Sequence, residues 1–299
     1  MSNENLLFKL DKYNNMFVNE KKILNSSDNT ITAYLYILNS FYEFVVENDN
    51  LYELNDITKE FVLDFINRDT NAANSTKILN LAVIKAYLTY IDEQEDNNGL
   101  FEYRLKKTTI KKESVEVDAL DDAEVEKLLS LFHKKTKSFN KNRDSLLIKL
   151  ILFTGIRASE CLNIQLNDFS QVEDGRVYKI RIFGKGSKER FVYIAKDKID
   201  FELEFLQDYI VDYIAITNQN KRMSRVGLYN VISNKMKKVG INKKGIHILR
   251  HTFARNLVSK NINLATISEL LGHADITLTA RTYAKSDEGS KIRAILSQV

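Results

Sequence analysis

The amino-acid sequence predicts a helical bundle followed by a mostly α part with a small β-sheet, an α+β fold. Apolar residues recur at helical spacing through much of residues 20–100. Two clusters of β-forming residues then flank a short turn with two glycines, the pattern of a β-hairpin. Helical patterns return after the hairpin. At 299 residues the chain is long enough for two domains, each with its own core.

The first part contains three predicted helices. One covers residues 29–46, with Asn29 or Thr30 as its N-cap. A shorter amphipathic helix covers residues 58–67, and a third covers residues 75–91. We therefore expect a small helical bundle with its aromatic side chains in the core.

Polar segments follow this bundle. Residues 92–98 are polar, and residues 104–118 are charged and lack a helical period. The second segment predicts an extended linker between two domains. Its lysines either lie along the phosphate backbone of a nucleic acid or only keep the linker solvated.

The second part begins with a helix whose N-terminus is the acidic turn 121–122. A buried helix over residues 144–154 ends at Gly155. Residues 177–183 and 190–194 are the strands of the hairpin. Further helices are predicted at residues 201–215, 226–238, 247–259, 264–271 and 277–284.

Composition indicates a soluble globular protein. No apolar run approaches the roughly 18 residues that a membrane span needs, and the first residues carry charges where a signal peptide is apolar. The single cysteine, Cys161, excludes an internal disulfide and fits a reducing compartment. We therefore expect a cytoplasmic protein.

Charge is distributed unevenly along the chain. Residues 119–299 carry 31 Lys and Arg against 20 Asp and Glu, whereas residues 1–118 carry 13 against 20. A basic half favours a polyanionic partner, because neutralising phosphates releases counterions. A basic surface that is merely solvated explains the same charge.

Arg157 and Lys185 are the first candidates for binding an anion. Arg157 follows the helix-ending glycine and Glu160 is three residues away, which predicts either an oriented phosphate ligand or a plain surface salt bridge. Lys185 lies between two glycines at the hairpin tip, where a lysine can approach a phosphate. Lys188 is the alternative at the same tip.

His247 and Arg250 are three residues apart, so their side chains project from the same face of one helix. His251 is rotated by roughly 100° from Arg250, and we expect it to pack or to cap. Four histidines and one cysteine show no i,i+4 pair together with a carboxylate base. We therefore expect no metal site.

His273 directly follows a second helix-ending glycine, where it either neutralises the helix dipole or binds an anion. Tyr283 lies ten residues further on a short predicted helix. A phenol is a poor nucleophile unless its proton is removed or its phenolate is held near cations. A pocket with two arginines, a lysine and two histidines would supply both.

The motifs TGIRASE, GKGSKER, HILRHTFA and LLGHAD, followed by a tyrosine, resemble the tyrosine recombinase (phage integrase) family. Their order and internal spacing match over residues 119–285, and five motifs in order make a chance match very improbable. The helical region 20–100 is similar, with less specificity, to the core-binding domain of that family. One departure is that the interval from His273 to Tyr283 is one residue longer than in the commonest members.

The resemblance implies a domain organisation and a central reaction. Residues 1–103 would form a core-binding (SAM-like) DNA-binding domain, residues 104–118 a linker and residues 119–299 the catalytic domain. Arg157 and Arg250 would clamp the scissile phosphate and stabilise the pentacoordinate transition state. The nucleophile, Tyr283, would form a 3′-phosphotyrosyl link.

The resemblance also implies proton donors for this reaction. Lys185, with Lys188 as the alternative, would be the general acid for the departing 5′-hydroxyl. His247 would assist proton transfer, His273 would donate a hydrogen bond to the phosphate, and Glu160 would be a supporting acid. Because energy is conserved in the covalent link, we expect neither a metal nor a nucleotide cofactor.

The implied function is recombination of double-stranded DNA at a specific site by a homotetramer on two sites, with or without a second recombinase or an accessory protein. A chain of 299 residues leaves little room for an extra arm-type DNA-binding domain, which favours Xer-like resolution of chromosome dimers. Integration or excision of a mobile element is the alternative. A type IB topoisomerase and a DNA-binding protein without cleavage are the remaining hypotheses. We expect the apolar stripe of Ile292, Ile295 and Leu296 to dock on a neighbouring subunit.

Overall fold

The computed structural model describes residues 4–48, 50–96, 98–112, 118–184, 189–210, 212–273 and 275–283. The chain divides into two compact units, Met1–Val115 and Glu116–Val299. We call these unit 1 and unit 2. The mostly helical fold with one small sheet agrees with the predicted fold class.

The helices described in unit 1 are α1 (Glu4–Ile23), α2 (Asp28–Val46), α3 (Lys59–Asn67), α4 (Asn74–Glu95) and α5 (Leu100–Leu105). Aromatic rings join them. Phe17 of α1 meets Tyr87 of α4 edge to face at 5.7 Å, and Phe41 of α2 meets Phe65 of α3 at 5.0 Å. All four rings are buried, which for Phe41, Phe65 and Tyr87 confirms the predicted aromatic core, whereas Tyr36 of α2 is 76% exposed.

Helix α2 begins earlier than expected. Ser27, rather than Asn29 or Thr30, is its N-cap, because the Ser27 hydroxyl accepts a hydrogen bond from the backbone N–H of Thr30. Helix α1 has no counterpart among the predicted helices, although it buries Leu6, Leu10, Tyr13 and Phe17 at helical spacing.

The first residues of the segment 104–118 are folded onto unit 1, contrary to the expectation of an extended linker from residue 104. Helix α5 continues to Leu105, whose side chain is buried. Lys85 donates a hydrogen bond to the carbonyl of Thr108 at 2.7 Å. The break before α5 is stabilised by the buried carboxylate of Asp92, which accepts hydrogen bonds from the backbone N–H groups of Phe101 and Glu102.

Unit 2 combines helices with one antiparallel sheet. Its helices within the described residues are α6 (Asp122–Ser130), α7 (Phe139–Thr154), α8 (Ala158–Cys161), α9 (Asp200–Leu206), α10 (Arg225–Lys238), α11 (His247–Ser259), α12 (Leu264–Leu271) and α13 (Ile276–Tyr283). The predicted ends at residue 121 and Gly155 are confirmed: Asp121 caps α6, and Gly155 ends α7 with a positive φ of 66°.

The sheet has the order β1 (Phe169–Val172), β2 (Val177–Phe183) and β3 (Glu189–Ala195). β2 and β3 are the predicted hairpin, while β1 was not expected. Alternate residues of β2 and β3 are buried in the same apolar cluster as α7. The sheet therefore lies against α7, and Phe183 and Glu189 are the last paired residues of the hairpin.

The helix expected over residues 201–215 is wrong beyond Leu206, where α9 ends. The backbone N–H of Ile214 donates to Ile164 at 3.0 Å, and Ala215 accepts from Met223 at 2.7 Å. Tyr213 also forms a short antiparallel bridge. The apolar residues that suggested a helix are buried by these pairings instead.

Within the described residues, no helix combines the length and the apolar character that crossing a membrane would require.

Candidate active site

Five of the predicted site residues lie together in unit 2. Arg157 is the N-cap of α8, directly after the turn that ends α7. His247 and Arg250 are both on α11, His273 follows the end of α12, and Tyr283 is the last residue of α13. Lys185 and its alternative Lys188 lie outside the described residues.

A small apolar cluster holds the three later helices together. It buries Ala254 of α11 with Ile267 and Leu271 of α12, and Phe253 and Tyr283 pack against it. The elements that carry four of the site residues therefore share one core.

Glu160 forms an ion pair with Arg157; the sequence left open whether such a pair orients a phosphate ligand or is a plain surface salt bridge. The carboxylate accepts hydrogen bonds from the Arg157 backbone N–H at 2.7 Å and from its guanidinium at 2.9 Å. Arg190 of β3 was not predicted, yet it donates to both oxygens of the same carboxylate at 2.8 Å. Burial raises the pKa of Glu160, but these hydrogen bonds and charges outweigh burial and hold the pKa below its usual value.

Arg250 is almost completely buried, with 5% of its surface exposed. Its guanidinium donates to the carbonyl of Gly155 at 2.7 Å and to the carbonyl of Leu271 at 2.9 Å. These carbonyls lie at the C-terminal ends of α7 and α12, where helix dipoles favour a cation. Burial, followed by the charge of Arg157, lowers the pKa of Arg250 to about 10, so the group remains charged at neutral pH.

His273 connects Arg250 to α13. Its Nε2 lies 2.9 Å from Nη2 of Arg250, and its Nδ1 lies 2.7 Å from the hydroxyl of Thr279. Because a guanidinium can only donate, Nε2 is the acceptor and Nδ1 carries the proton in this arrangement. Burial and the charge of Arg250 lower the pKa of His273 to about 4, so the ring is neutral at neutral pH.

His247 lies on the same face of this cluster, as its spacing from Arg250 predicted. Burial lowers its pKa, and so do the charges of Arg225, Arg250 and Arg157. The His247 and His251 rings are 6.4 Å apart. A neutral imidazole at this position can accept a proton.

His251, which was expected to pack or to cap, contacts Tyr283. Its Nδ1 lies 2.5 Å from the hydroxyl oxygen of Tyr283, and the two rings are 5.8 Å apart. The rotation of His251 away from Arg250 does not remove it from the site, because α13 packs on α11 on that side. Burial raises the pKa of Tyr283, and Arg250 opposes that shift.

Two glycines allow the helix ends to approach each other. An added Cβ on Gly155 would lie 2.4 Å from the Phe253 ring, and one on Gly272 would lie 2.8 Å from Nε of Arg190. Both glycines have positive φ angles. The backbone carbonyl of Gly272 also accepts a hydrogen bond from Arg157 at 2.9 Å.

The arrangement is suited to binding a multiply charged anion next to a phenol. Arg157 and Arg190 form ion pairs with the Glu160 carboxylate, and Arg250 binds backbone carbonyls instead. Three guanidinium groups and one carboxylate leave the site with an excess of positive charge. Sequence reasoning missed Arg190, His251 and Thr279. The first two stand inside the quoted motifs GKGSKER and HILRHTFA, which was the available signal.

Among the described residues, no group of three or more His, Cys, Asp or Glu side chains is placed to hold a metal ion.

Comparison with known proteins gives one family. A model of the phage integrase family matches residues 118–289. The chain is 31% identical over 283 residues to the tyrosine recombinase XerH of Campylobacter jejuni, a match covering 89% of this chain and 78% of the relative. It is 28% identical over 290 residues to the tyrosine recombinase XerC of Staphylococcus aureus, covering 92% and 93%.

Solved structures agree with these matches. A crystal structure of the XerH site-specific recombinase, in a post-cleavage complex with a palindromic difH substrate, has a TM-score of 0.77 and 25% identity, covering 93% of this chain and 83% of that chain. A lambda integrase dimer bound to a COC′ core site has a TM-score of 0.69. At 16% identity, with 93% of this chain and 78% of that chain covered, the second likeness shows the fold alone.

Proposed function

Because this chain belongs to the phage integrase family and is a tyrosine-type site-specific DNA recombinase, we propose that Tyr283 attacks the scissile phosphate of DNA and forms a 3′-phosphotyrosyl link. The observation that carries this proposal is the cluster itself. Tyr283 contacts His251, the residue that follows Arg250 on α11. Arg250 and Arg157 both donate hydrogen bonds to backbone carbonyls at the end of α12. A nucleophile and a phosphate clamp are thus parts of one site.

Arg157 and Arg250 bind the scissile phosphate in this proposal. Both use some of their N–H groups on protein acceptors, which fixes their orientation before DNA binds. Preorganised donors that are directed at a developing charge stabilise the transition state without reorganisation. The Glu160 carboxylate accepts hydrogen bonds from Arg157 and from Arg190, and so helps to hold Arg157 in position.

Proton transfer completes the reaction. Lys185 or Lys188 protonates the departing 5′-oxygen, and His247 assists that transfer. His273 donates a hydrogen bond to the bound phosphate from Nε2. This step needs the other tautomer of His273: Nε2 gives up the hydrogen bond from Arg250 and takes the ring proton, and the Thr279 hydroxyl donates to Nδ1 instead of accepting from it.

The covalent link conserves the energy of the broken phosphodiester, so the reaction needs neither metal nor nucleotide. The partner is double-stranded DNA with a specific recombination site. A homotetramer binds two such sites, and the reaction takes place in the cytoplasm. A second recombinase or an accessory protein joins it where the two sites differ. The predicted docking stripe of Ile292, Ile295 and Leu296 lies outside the described residues.

We assign the chain to Xer-like resolution of chromosome dimers, supported by its similarity to XerH and XerC. Integration or excision of a mobile element uses the same chemistry and is the second candidate. The similarity of both units to XerH, over 93% of this chain, speaks against a type IB topoisomerase.

The test is covalent capture of DNA. The protein is incubated with a pool of nicked duplexes that carry a randomised central sequence, and adducts are recovered under denaturing conditions and amplified over successive rounds. Wild type should enrich one sequence and form an adduct with it, whereas Tyr283→Phe should form none. Tyr193→Phe is the matched control, since Tyr193 is 48% exposed on β3. An adduct that persists in Tyr283→Phe would overturn the assignment.

A further inference from the structure

The roles proposed above leave His251 without a function, although it contacts the reacting oxygen. Its Nδ1 lies 2.5 Å from the Tyr283 hydroxyl. His251 follows Arg250 directly on α11, so one helix carries both a phosphate ligand and a hydrogen-bond partner of the nucleophile.

The charge states of the two groups allow this hydrogen bond to run from the hydroxyl to the ring. Burial, followed by the neighbouring His247 and Arg250, lowers the pKa of His251 to about 4. Burial raises the pKa of Tyr283. At neutral pH the ring is therefore neutral and the phenol is protonated. With the ring proton on Nε2, the hydroxyl donates and Nδ1 accepts.

This hydrogen bond fixes the position of a group that would otherwise rotate. Tyr283 lies on α13, and its hydroxyl is at the end of a long side chain. The bond connects that hydroxyl to α11, whose Arg250 is anchored to the ends of two further helices. With its hydrogen directed at Nδ1, the phenol oxygen turns its lone pairs away from His251.

We propose that His251 is a positioning residue, which accepts the hydrogen bond of the Tyr283 hydroxyl at Nδ1 and so holds the nucleophile in place for attack. The inference rests on the proposed role of Tyr283 as the nucleophile. It assigns to His251 an effect on DNA cleavage that acts through Tyr283 and leaves phosphate binding unchanged.

Two substitutions separate the hydrogen bond from the bulk of the ring. In His251→Asn the amide oxygen takes the place of Nδ1 and accepts the same bond, whereas His251→Leu fills similar space without an acceptor. The single-turnover rate of adduct formation is measured on the nicked duplex selected by wild type. We expect His251→Leu to be slower by about 10- to 100-fold, because small misplacements of reacting groups have effects of this size. His251→Asn should remain within about threefold of wild type.

His133→Leu is the matched control, since His133 lines a separate cavity with Lys135 and Lys198, and it should cleave at the wild-type rate. A second reaction bypasses Tyr283 when it is run in the Tyr283→Phe background: a 5′-hydroxyl strand attacks a DNA 3′-phosphate esterified to p-nitrophenol, the new P–O bond forms, the hydroxyl proton passes to the buffer and p-nitrophenolate leaves. The double variant His251→Leu, Tyr283→Phe should catalyse this joining at the rate of Tyr283→Phe alone.

Each other result contradicts the proposal in its own way. If the double variant loses joining, the residue is structural. If His251→Asn cleaves as slowly as His251→Leu, accepting a hydrogen bond is insufficient. If His251→Leu cleaves normally, the contact is irrelevant. An adduct in Tyr283→Phe instead refutes the assignment of the nucleophile, and is recognised independently of His251.

Discussion

Arg190 and Glu160 are joined by two parallel hydrogen bonds, each 2.8 Å long, from the two terminal nitrogens of the guanidinium to the two carboxylate oxygens. The pair connects β3 to α8. Glu160 is 3% exposed and also holds Arg157, so one buried carboxylate fixes two arginines. The geometry of the proposed phosphate clamp therefore depends on a residue that need not touch DNA.

Replacing Glu160 by alanine should strongly destabilise unit 2. Removing one partner of a buried ion pair leaves uncompensated charge, and we expect a loss of about 3–5 kcal/mol in the free energy of unfolding. Urea denaturation measures the change. Glu173→Ala is the control, because Glu173 and Arg176 form an exposed pair at 3.9 Å and its loss should stay within about 0.5 kcal/mol. Equal losses in the two variants would show that Glu160 has no structural role.

Gly272→Ala should impair DNA cleavage more than its backbone strain explains. An added Cβ would lie 2.8 Å from Nε of Arg190, at a φ of 65°. Gly240 has a similar φ of 75° but no atom within 4 Å of the same position. Both variants should lose about 1–2 kcal/mol of stability from the left-handed backbone. The rate of adduct formation should fall in Gly272→Ala and be retained in Gly240→Ala; the prediction fails if the two rates are equal.

Cys161 should be unreactive while unit 2 is folded. The thiol is fully buried, and burial raises its pKa to about 12, so almost no thiolate is present at neutral pH. Mass spectrometry after treatment with iodoacetamide should find native Cys161 unmodified and denatured Cys161 alkylated. In Ser130→Cys the added thiol, at an exposed position, should react under native conditions. Rapid alkylation of native Cys161 would be incompatible with the described core.

Sequence reasoning succeeded where neighbouring residues determine the structure. Asp121 caps its own helix, and Gly155 ends α7 because it adopts a positive φ without strain. The hairpin was recognised from alternation within each strand. In contrast, β1 has four residues and depends on pairing with β2, and residues 213–216 pair with backbone outside α9 instead of continuing that helix. Tertiary contacts determine those segments.

The same division applies to the site. The spacing of His247 and Arg250 placed both on one face, since a helix determines that relation locally. Arg190 is 30 residues from Glu160, and His251 is 32 residues from Tyr283. Neither distance along the chain indicates contact. The motifs contained both residues, but only the packing of α13 on α11 and of β3 beside α8 reveals their partners.

Acid should destabilise the folded protein through two histidines of the site. Burial and nearby positive charges lower the pKa of His251 and of His273 from 6.5 to about 4. The groups that face His251 are His247, Arg250 and Tyr283. The positive charges that face His273 are those of Arg250, Arg157 and Arg190. Between pH 6.5 and about 4 the unfolded chain binds protons that these folded imidazoles do not bind. The free energy of unfolding must therefore decrease as pH falls through this window.

Denaturant unfolding between about pH 7 and pH 5 measures this slope. The double variant His251→Asn, His273→Asn should lose stability less steeply than wild type, because its site no longer excludes those protons. If the free energy of unfolding fell with pH as steeply in the double variant as in wild type, the two imidazoles would have to titrate normally in the folded state. A charged His251 could not then accept a hydrogen bond from Tyr283 in mild acid, so the same curves also test the bond that positions the nucleophile.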